Sequence, residues 1–182
     1  MTYILSGGQL LIIRQETSLD YAEVYRLVKL SFASVSSDDG TVPDYLNELR
    51  KKDVFVPELS LVAQNNAGQI IGQIVLYKTP ITTPQGERVE LLLSPICVHP
   101  DYFRRGIARA MINVALSQAK RLEFGAVFLC GDPAIYRNLG FLSSYHYGIF
   151  HKNDQTKTAD WSMVCELYLG ALNGVSGTVD TI

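Results

Sequence analysis

The chain has 182 residues, 47% of them hydrophobic, and a formal net charge of −2, which is one domain's worth of sequence with ordinary apolar content for a core. A pI near 5.9 argues against nucleic acid as a principal partner. No stretch approaches the unbroken apolar run of a membrane helix, and the N-terminus lacks a charged segment leading into an apolar one and a cleavage site, so nothing marks the chain for export. Cys97, Cys130 and Cys165 lie far apart in apolar, strand-like sequence. They read as buried reduced thiols, which suggests the cytoplasm. No Cys or His pair has ligand spacing, so no metal is expected.

Residues 9–15 (QLLIIRQ) read as a first strand. Asp20 then resembles an N-cap, with Glu23 completing a capping-box pair. Tyr21, Val24, Val28 and Phe32 share one helical face. Residues 34–42 are turn chemistry, and 43–52 form a shorter helix with Pro43 near its start. Strands at 59–65 and 69–77 flank Asn66-Ala67-Gly68 as a hairpin. A longer turn at 78–87 leads to a strand at 88–98, where Pro95 cannot donate a ladder bond and predicts a bulge or splay. Such a splay leaves the main-chain groups of Ile96, Cys97 and Val98 for an extended, amide-bearing ligand. A helix over 105–123 and an apolar strand at 125–130 make a parallel crossover. A short helix at 134–139 ends at Gly140. Strands at 141–150 and 161–169 enclose a polar loop, and a Gly-rich tail covers 170–182. His146 and His151 read as surface or strand-edge residues.

The chemistry concentrates in the window SPICVHPDYFRRGIARAM. A glycine where a strand gives way to a helix allows close backbone approach to a ligand. The first helical turn offers N–H groups to an anion, and Arg104, Arg105 and Arg109 add charge that can pair with phosphate. This is neither a P-loop nor a dinucleotide fingerprint. A solvated basic edge explains the arginines equally well, though not Gly106.

The window Phe103-Arg104-Arg105-Gly106-Ile107-Ala108 resembles the pyrophosphate motif of the GCN5-related N-acetyltransferases (GNAT), Gln/Arg-x-x-Gly-x-Gly/Ala, with Phe103 at the position usually held by Gln or Arg. The order of strands and helices is that of the same fold over nearly the whole chain. Three pieces, LLLSPICVHPDYFRRGIA, GDPAIYRNLGF and the tail ALNGVSGTV, are most similar to YhbS-like acetyltransferases. The resemblance implies an α/β (α+β type) acyl-CoA N-acyltransferase fold. Its mixed, splayed sheet would have six to seven strands, flanked by helices on both faces in a single domain, 1–182. It implies acetyl-CoA as co-substrate, with Ile96, Cys97 and Val98 holding the pantetheine arm and Arg104, Arg105, Gly106, Ile107, Ala108 and Arg109 the pyrophosphate.

The resemblance also places Tyr136, in Tyr-x-x-x-Gly-Phe, beside the CoA sulfur, where a phenol can protonate the departing thiolate; packing through its ring is the plainer alternative. Glu90 and Glu87 are candidates for the base that takes the amine's proton, with His99 a third. Cys97 fits a small core hydrophobe better than a nucleophile. The acceptor, a primary amine of a small molecule or peptide, is expected against 34–42, the second helix and 151–160, where Asp38, Asp39, Asp44 and Glu48 are acidic. No nucleic acid or membrane partner is expected, and a homodimer stays open. A non-catalytic acyl-CoA-binding module with the same fold is the competing reading.

Overall fold

The computed structural model describes residues 1–4, 10–33 and 40–180. In chain order the elements begin with β1 (Thr2–Ile4), β2 (Leu10–Gln15), α1 (Tyr21–Phe32), α2 (Val42–Leu49), β3 (Phe55–Gln64), β4 (Ile70–Thr83) and β5 (Gly86–Val98). They continue with α3 (Ile107–Arg121), β6 (Ala126–Cys130), α4 (Pro133–Tyr136), β7 (Leu142–Ser143), β8 (Ile149–His151), β9 (Ser162–Glu166) and β10 (Gly177–Val179). These residues form two compact units, Met1–Val75 with Ser94–Ala115, and Leu76–Leu93 with Leu116–Ile182.

In the first unit the strand order is β1-β2-β3-β4-β5, with β1–β2 and β2–β3 antiparallel. Helix α1 buries Val24, Leu27, Val28 and Ser31, an i, i+3, i+4, i+7 stripe that gives an amphipathic helix its core face. A buried ion pair ties the end of α2 to the segment after β2. The Arg50 guanidinium meets Glu16 at 2.5 Å, with both side chains almost fully covered, and lies 4.1 Å from the centre of the Tyr21 ring. Ser60 Oγ donates to the second Glu16 oxygen at 2.6 Å. Arg50 also donates to Asn47 Oδ1 at 2.6 Å. The hydrogen bonds offset the cost of taking both charges out of water.

In the second unit the order is β4-β5-β6-β9-β7. Strand β6 pairs antiparallel with β9 from Ala126 to Cys130. Its parallel pairing with β5 covers only Leu91 opposite Val127 and Leu92 opposite Phe128. The sheet is thus mixed, and β5 leaves β6 after two register positions while continuing to Val98. Strand β10 pairs antiparallel with β4 and parallel with β8.

Several boundaries differ from the sequence expectation for identifiable reasons. Asp20 does not start a capping box with Glu23. It reaches back to the Thr17 N–H at 2.7 Å, while Glu23 accepts from the Ile70 N–H at 2.9 Å. The tract at 78–87 is mostly strand, because β10 supplies Ile81 and Thr82 with partners. The stretch 141–150 is broken by a 3-10 turn over Ser144–Tyr147, closed by Gly148 at φ +73°. The tail is not loose: it carries β10, and Leu172 and Val179 are buried. Cys130 is exposed, unlike Cys97 and Cys165.

His151, read as a surface or strand-edge residue, is the last residue of β8, but it is 1% exposed and stands edge-on to Trp161, ring centres 4.8 Å apart. Its Nδ1 accepts the Asn153 N–H at 3.1 Å, so the proton of the neutral ring sits on Nε2. Burial lowers its pKa from 6.5. The unfolded chain therefore binds a proton near pH 6.5 that the folded chain still refuses, and the stability this histidine confers is present above pH 6.5 and lost as pH falls through the folded value. Urea unfolding at pH 7.5 and 5.5 is expected to show lower stability at the acidic pH, with a smaller difference in His151→Gln.

Candidate functional site

In the first unit, Pro100–Tyr102 forms a 3-10 turn between β5 and α3. His99 Nδ1 accepts the Asp101 N–H at 3.3 Å, so His99 is a local hydrogen bonder. Arg105 donates to the Asp101 carbonyl at 2.8 Å and stacks 5.1 Å from the Tyr102 ring centre. Arg104 and Gly106 both have left-handed backbones, at φ +59° and +81°. Ala110 donates to the Gly106 carbonyl at 3.0 Å, so Gly106 opens α3, and the N–H groups of the first turn have no acceptor within their own helix. Nothing lies within 4 Å of the place a Gly106 Cβ would occupy. Ile107 anchors the helix start at 1% exposure, while Arg104, Arg105, Ala108 and Arg109 are exposed. The result is an exposed helix start with main-chain donors at the positive end of its dipole, edged by arginines. Such a place suits a phosphate.

Upstream, Ile96 is half-buried and Val98 buried. The main chain here is not wholly available, as the splay suggested it would be: the Val98 carbonyl accepts Ser31 Oγ at 3.1 Å. Cys97 is buried, and desolvation pushes its thiol to about 12. That leaves no thiolate near neutrality and fits a core hydrophobe.

In the second unit, β6 delivers the chain to Gly131, whose N–H donates to the Trp161 carbonyl at 2.9 Å. Asp132 caps α4 by accepting the Ala134 N–H at 2.8 Å, and Tyr136 ends the helix. The Tyr136 ring is half-buried, edge-on to Phe141 at 5.8 Å, and burial raises its pKa above 10. Among the described residues its hydroxyl makes no hydrogen bond. Glu87 is exposed at the start of β5.

Glu90 is 2% exposed, and its carboxylate is fully engaged. Oε1 accepts from Arg88 Nε at 2.7 Å and lies 2.6 Å from Arg88 Nη2. Oε2 accepts the Gly125 and Ala126 N–H groups at 2.9 and 2.8 Å. A carboxylate offers about four lone-pair sites, and three hydrogen bonds and the ion pair engage both of its oxygens. Glu90 is a clamp on the start of β6, bonded in a way that disfavours the role of base expected from the sequence.

A family model for the acetyltransferase (GNAT) domain matches residues 12–143. The chain belongs to the GNAT family. Among solved structures it is similar to the GNAT family N-acetyltransferase YhbS from Escherichia coli in complex with CoA, at 26% identity and a TM-score of 0.80, covering 94% of this chain and 89% of that one. It shares the fold of a GNAT family acetyltransferase from Brucella melitensis in complex with acetyl-CoA, at 23% identity and a TM-score of 0.75, covering 93% and 94%. The E. coli ribosomal-protein-S18-alanine N-acetyltransferase has the same fold at 16% identity and a TM-score of 0.58, over 87% of this chain and 95% of that one. No curated protein matches in sequence.

In this GNAT chain, helices α1 and α2 border a cleft of about 880 Å³ in the first unit, lined by Tyr21, Tyr25, Asp44, Glu48, Arg50 and Lys51 among others. Its acidic residues have partners: Asp44 accepts the Tyr25 hydroxyl at 3.1 Å, and Glu48 pairs with Lys51 at 2.6 Å, while Arg50 and Lys51 line the same cleft. The cleft is therefore not a bare acidic face, and Asp38 and Asp39 lie outside the described residues. Sequence reading missed Arg88 as the partner of Glu90 and gave Gly131 no role beyond starting a turn. In sequence, the sole hint at Gly131 is a glycine between a buried strand and an Asp-Pro helix start. Removing the Glu90 carboxylate would strand two main-chain donors and a guanidinium. Glu90→Ala is accordingly expected to lower stability by about 2–4 kcal/mol in chemical denaturation, where loss of a base would slow catalysis alone.

Proposed function

We propose that this protein is an acetyl-CoA-dependent N-acetyltransferase acting on a primary amine of a small molecule or peptide, and that both compact units belong to one catalytic domain, 1–182. The observation that carries this reading is the open, arginine-edged start of α3 at Gly106, whose left-handed backbone and clear surroundings fit a diphosphate. The E. coli and B. melitensis relatives, described with CoA and acetyl-CoA, support the same co-substrate here. Arg104, Arg105, Gly106, Ile107, Ala108 and Arg109 would hold the pyrophosphate, and the main chain of Ile96, Cys97 and Val98 the pantetheine arm.

Acetyl-CoA supplies a thioester carbonyl, which the neutral amine attacks directly within a ternary complex. The new C–N bond forms as the C–S bond breaks. Tyr136 gives its phenolic proton to the departing thiolate and regains one from water. With Glu90 fully bonded, the proton of the attacking amine leaves through water. Holding both substrates together supplies most of the advantage, since orientation removes the entropy cost of their encounter.

Calorimetry with CoA is expected to show Gly106→Ala binding at least about tenfold more weakly, because a Cβ is strained at φ +81° and points into the opening. Tyr136→Phe should bind CoA like the parent yet lower kcat about 100-fold with the best substrate of an amine panel. Parent-like turnover in that variant would remove Tyr136 from the mechanism. CoA binding without turnover on any amine would favour the non-catalytic acyl-CoA-binding module.

A further inference from the structure

We infer that Gly131 is a positioning residue for Tyr136, its missing side chain being what lets the phenol ring lie where it does. This inference rests on the proton-donor reading of Tyr136. A Cβ built on Gly131 falls 2.7 Å from Tyr136 Cδ2 and closer still to Cε2, with Leu129 Cδ1 at 3.1 Å on another side. Carbon atoms in contact prefer about 3.5–4.0 Å. The ring therefore rests on the bare Cα of Gly131, with Phe141 edge-on beside it.

The demand for glycine comes from that contact and not from the backbone. Gly131 is absent from the left-handed residues, so alanine can adopt its dihedral angles. The Gly131 N–H still reaches the Trp161 carbonyl, and neither partner involves the side chain. What must yield to a methyl group is the free end of the Tyr136 side chain, because Leu129 belongs to the fully buried core of β6. The neighbouring backbone is pinned: Asp132 caps α4, and the Phe141 N–H donates to the Tyr136 carbonyl at 3.3 Å. The helix cannot follow, so the ring moves by about 1 Å by turning about its own side-chain bonds. A displacement of that size in a reacting group costs up to about 100-fold in rate.

The test compares Gly131→Ala, Tyr136→Phe and the double variant. Turnover is measured with acetyl-CoA and the best amine of a panel, alongside CoA affinity by calorimetry. The Tyr136 hydroxyl is titrated in the free protein by carbon NMR of labelled tyrosine, assigned by its loss in Tyr136→Phe, so this readout needs no acceptor. Gly131→Ala is expected to keep the CoA affinity and the fold, to lower kcat 10- to 100-fold, and to bring the Tyr136 midpoint down toward 10 as the displaced ring gains solvent. The alkaline limb of the kcat profile should move down with it. In the double variant, the alanine should cost less than threefold beyond Tyr136→Phe. An unmoved Tyr136 midpoint overturns the inference, as does a shifted midpoint with unchanged kcat, or a full additional loss in the double variant. Parent-like turnover in Tyr136→Phe overturns the underlying proton-donor reading instead, and the NMR midpoint alone then decides whether Gly131 sets the position of the ring.

Discussion

A carboxylate can be buried only when its lone pairs are occupied, and the second unit depends on Glu90 meeting that condition. Strands β5 and β6 share just two register positions, too short a ladder to fix where β6 begins. Glu90 compensates by taking the Gly125 and Ala126 N–H groups on one oxygen and Arg88 on the other. Arg88 is itself secured by donating to the Ala171 carbonyl. Once the start of β6 is held, its antiparallel pairing with β9 fixes the rest, and the strand delivers Gly131, Asp132 and Tyr136 in a set order. A residue that looks like chemistry in the sequence thus works as carpentry, and the proposed proton donor sits beyond the far end of the strand it holds.

The first unit meets the same problem with a different pair. Glu16 and Arg50 are covered by Tyr21, Ser60 and Asn47, which joins the end of α2 to the strands beneath it. The Glu48–Lys51 pair adds a second cation just beyond the end of α2. Net charge along a segment is a poor guide to its field when the opposing charges lie within one turn or across a packed interface.

What the sequence made legible was local. The helix expected over 105–123 showed in its periodicity and forms at Ile107–Arg121, and the glycine that opens it showed as a residue without another excuse; its φ supplies the reason. The buried strand β6 was equally plain, while the α1 stripe was half seen: Val24 and Val28 are buried as expected, but Leu27 and Ser31 complete the face in place of Tyr21 and Phe32. What stayed hidden depends on partners far along the chain. Glu90 takes its main-chain donors from 35 and 36 residues away, and no local pattern encodes that. Ile81 and Thr82 sit in turn-like sequence between prolines, and become strand because residues near the C-terminus pair with them. His151 lies in a polar neighbourhood of sequence and is buried by Trp161. The contact of Gly131 with a ring five positions later is short-range in sequence, yet it depends on a turn geometry that composition alone does not specify.

The burial of Cys97 closes off one chemical route altogether. Burial pushes its thiol up to about 12, so the nucleophilic thiolate is disfavoured at neutral pH. Exchange between this sulfur and a thioester is disfavoured accordingly. For the transferase proposed above, this favours both substrates being bound together before either product leaves, and double-reciprocal kinetic plots would then intersect instead of running parallel.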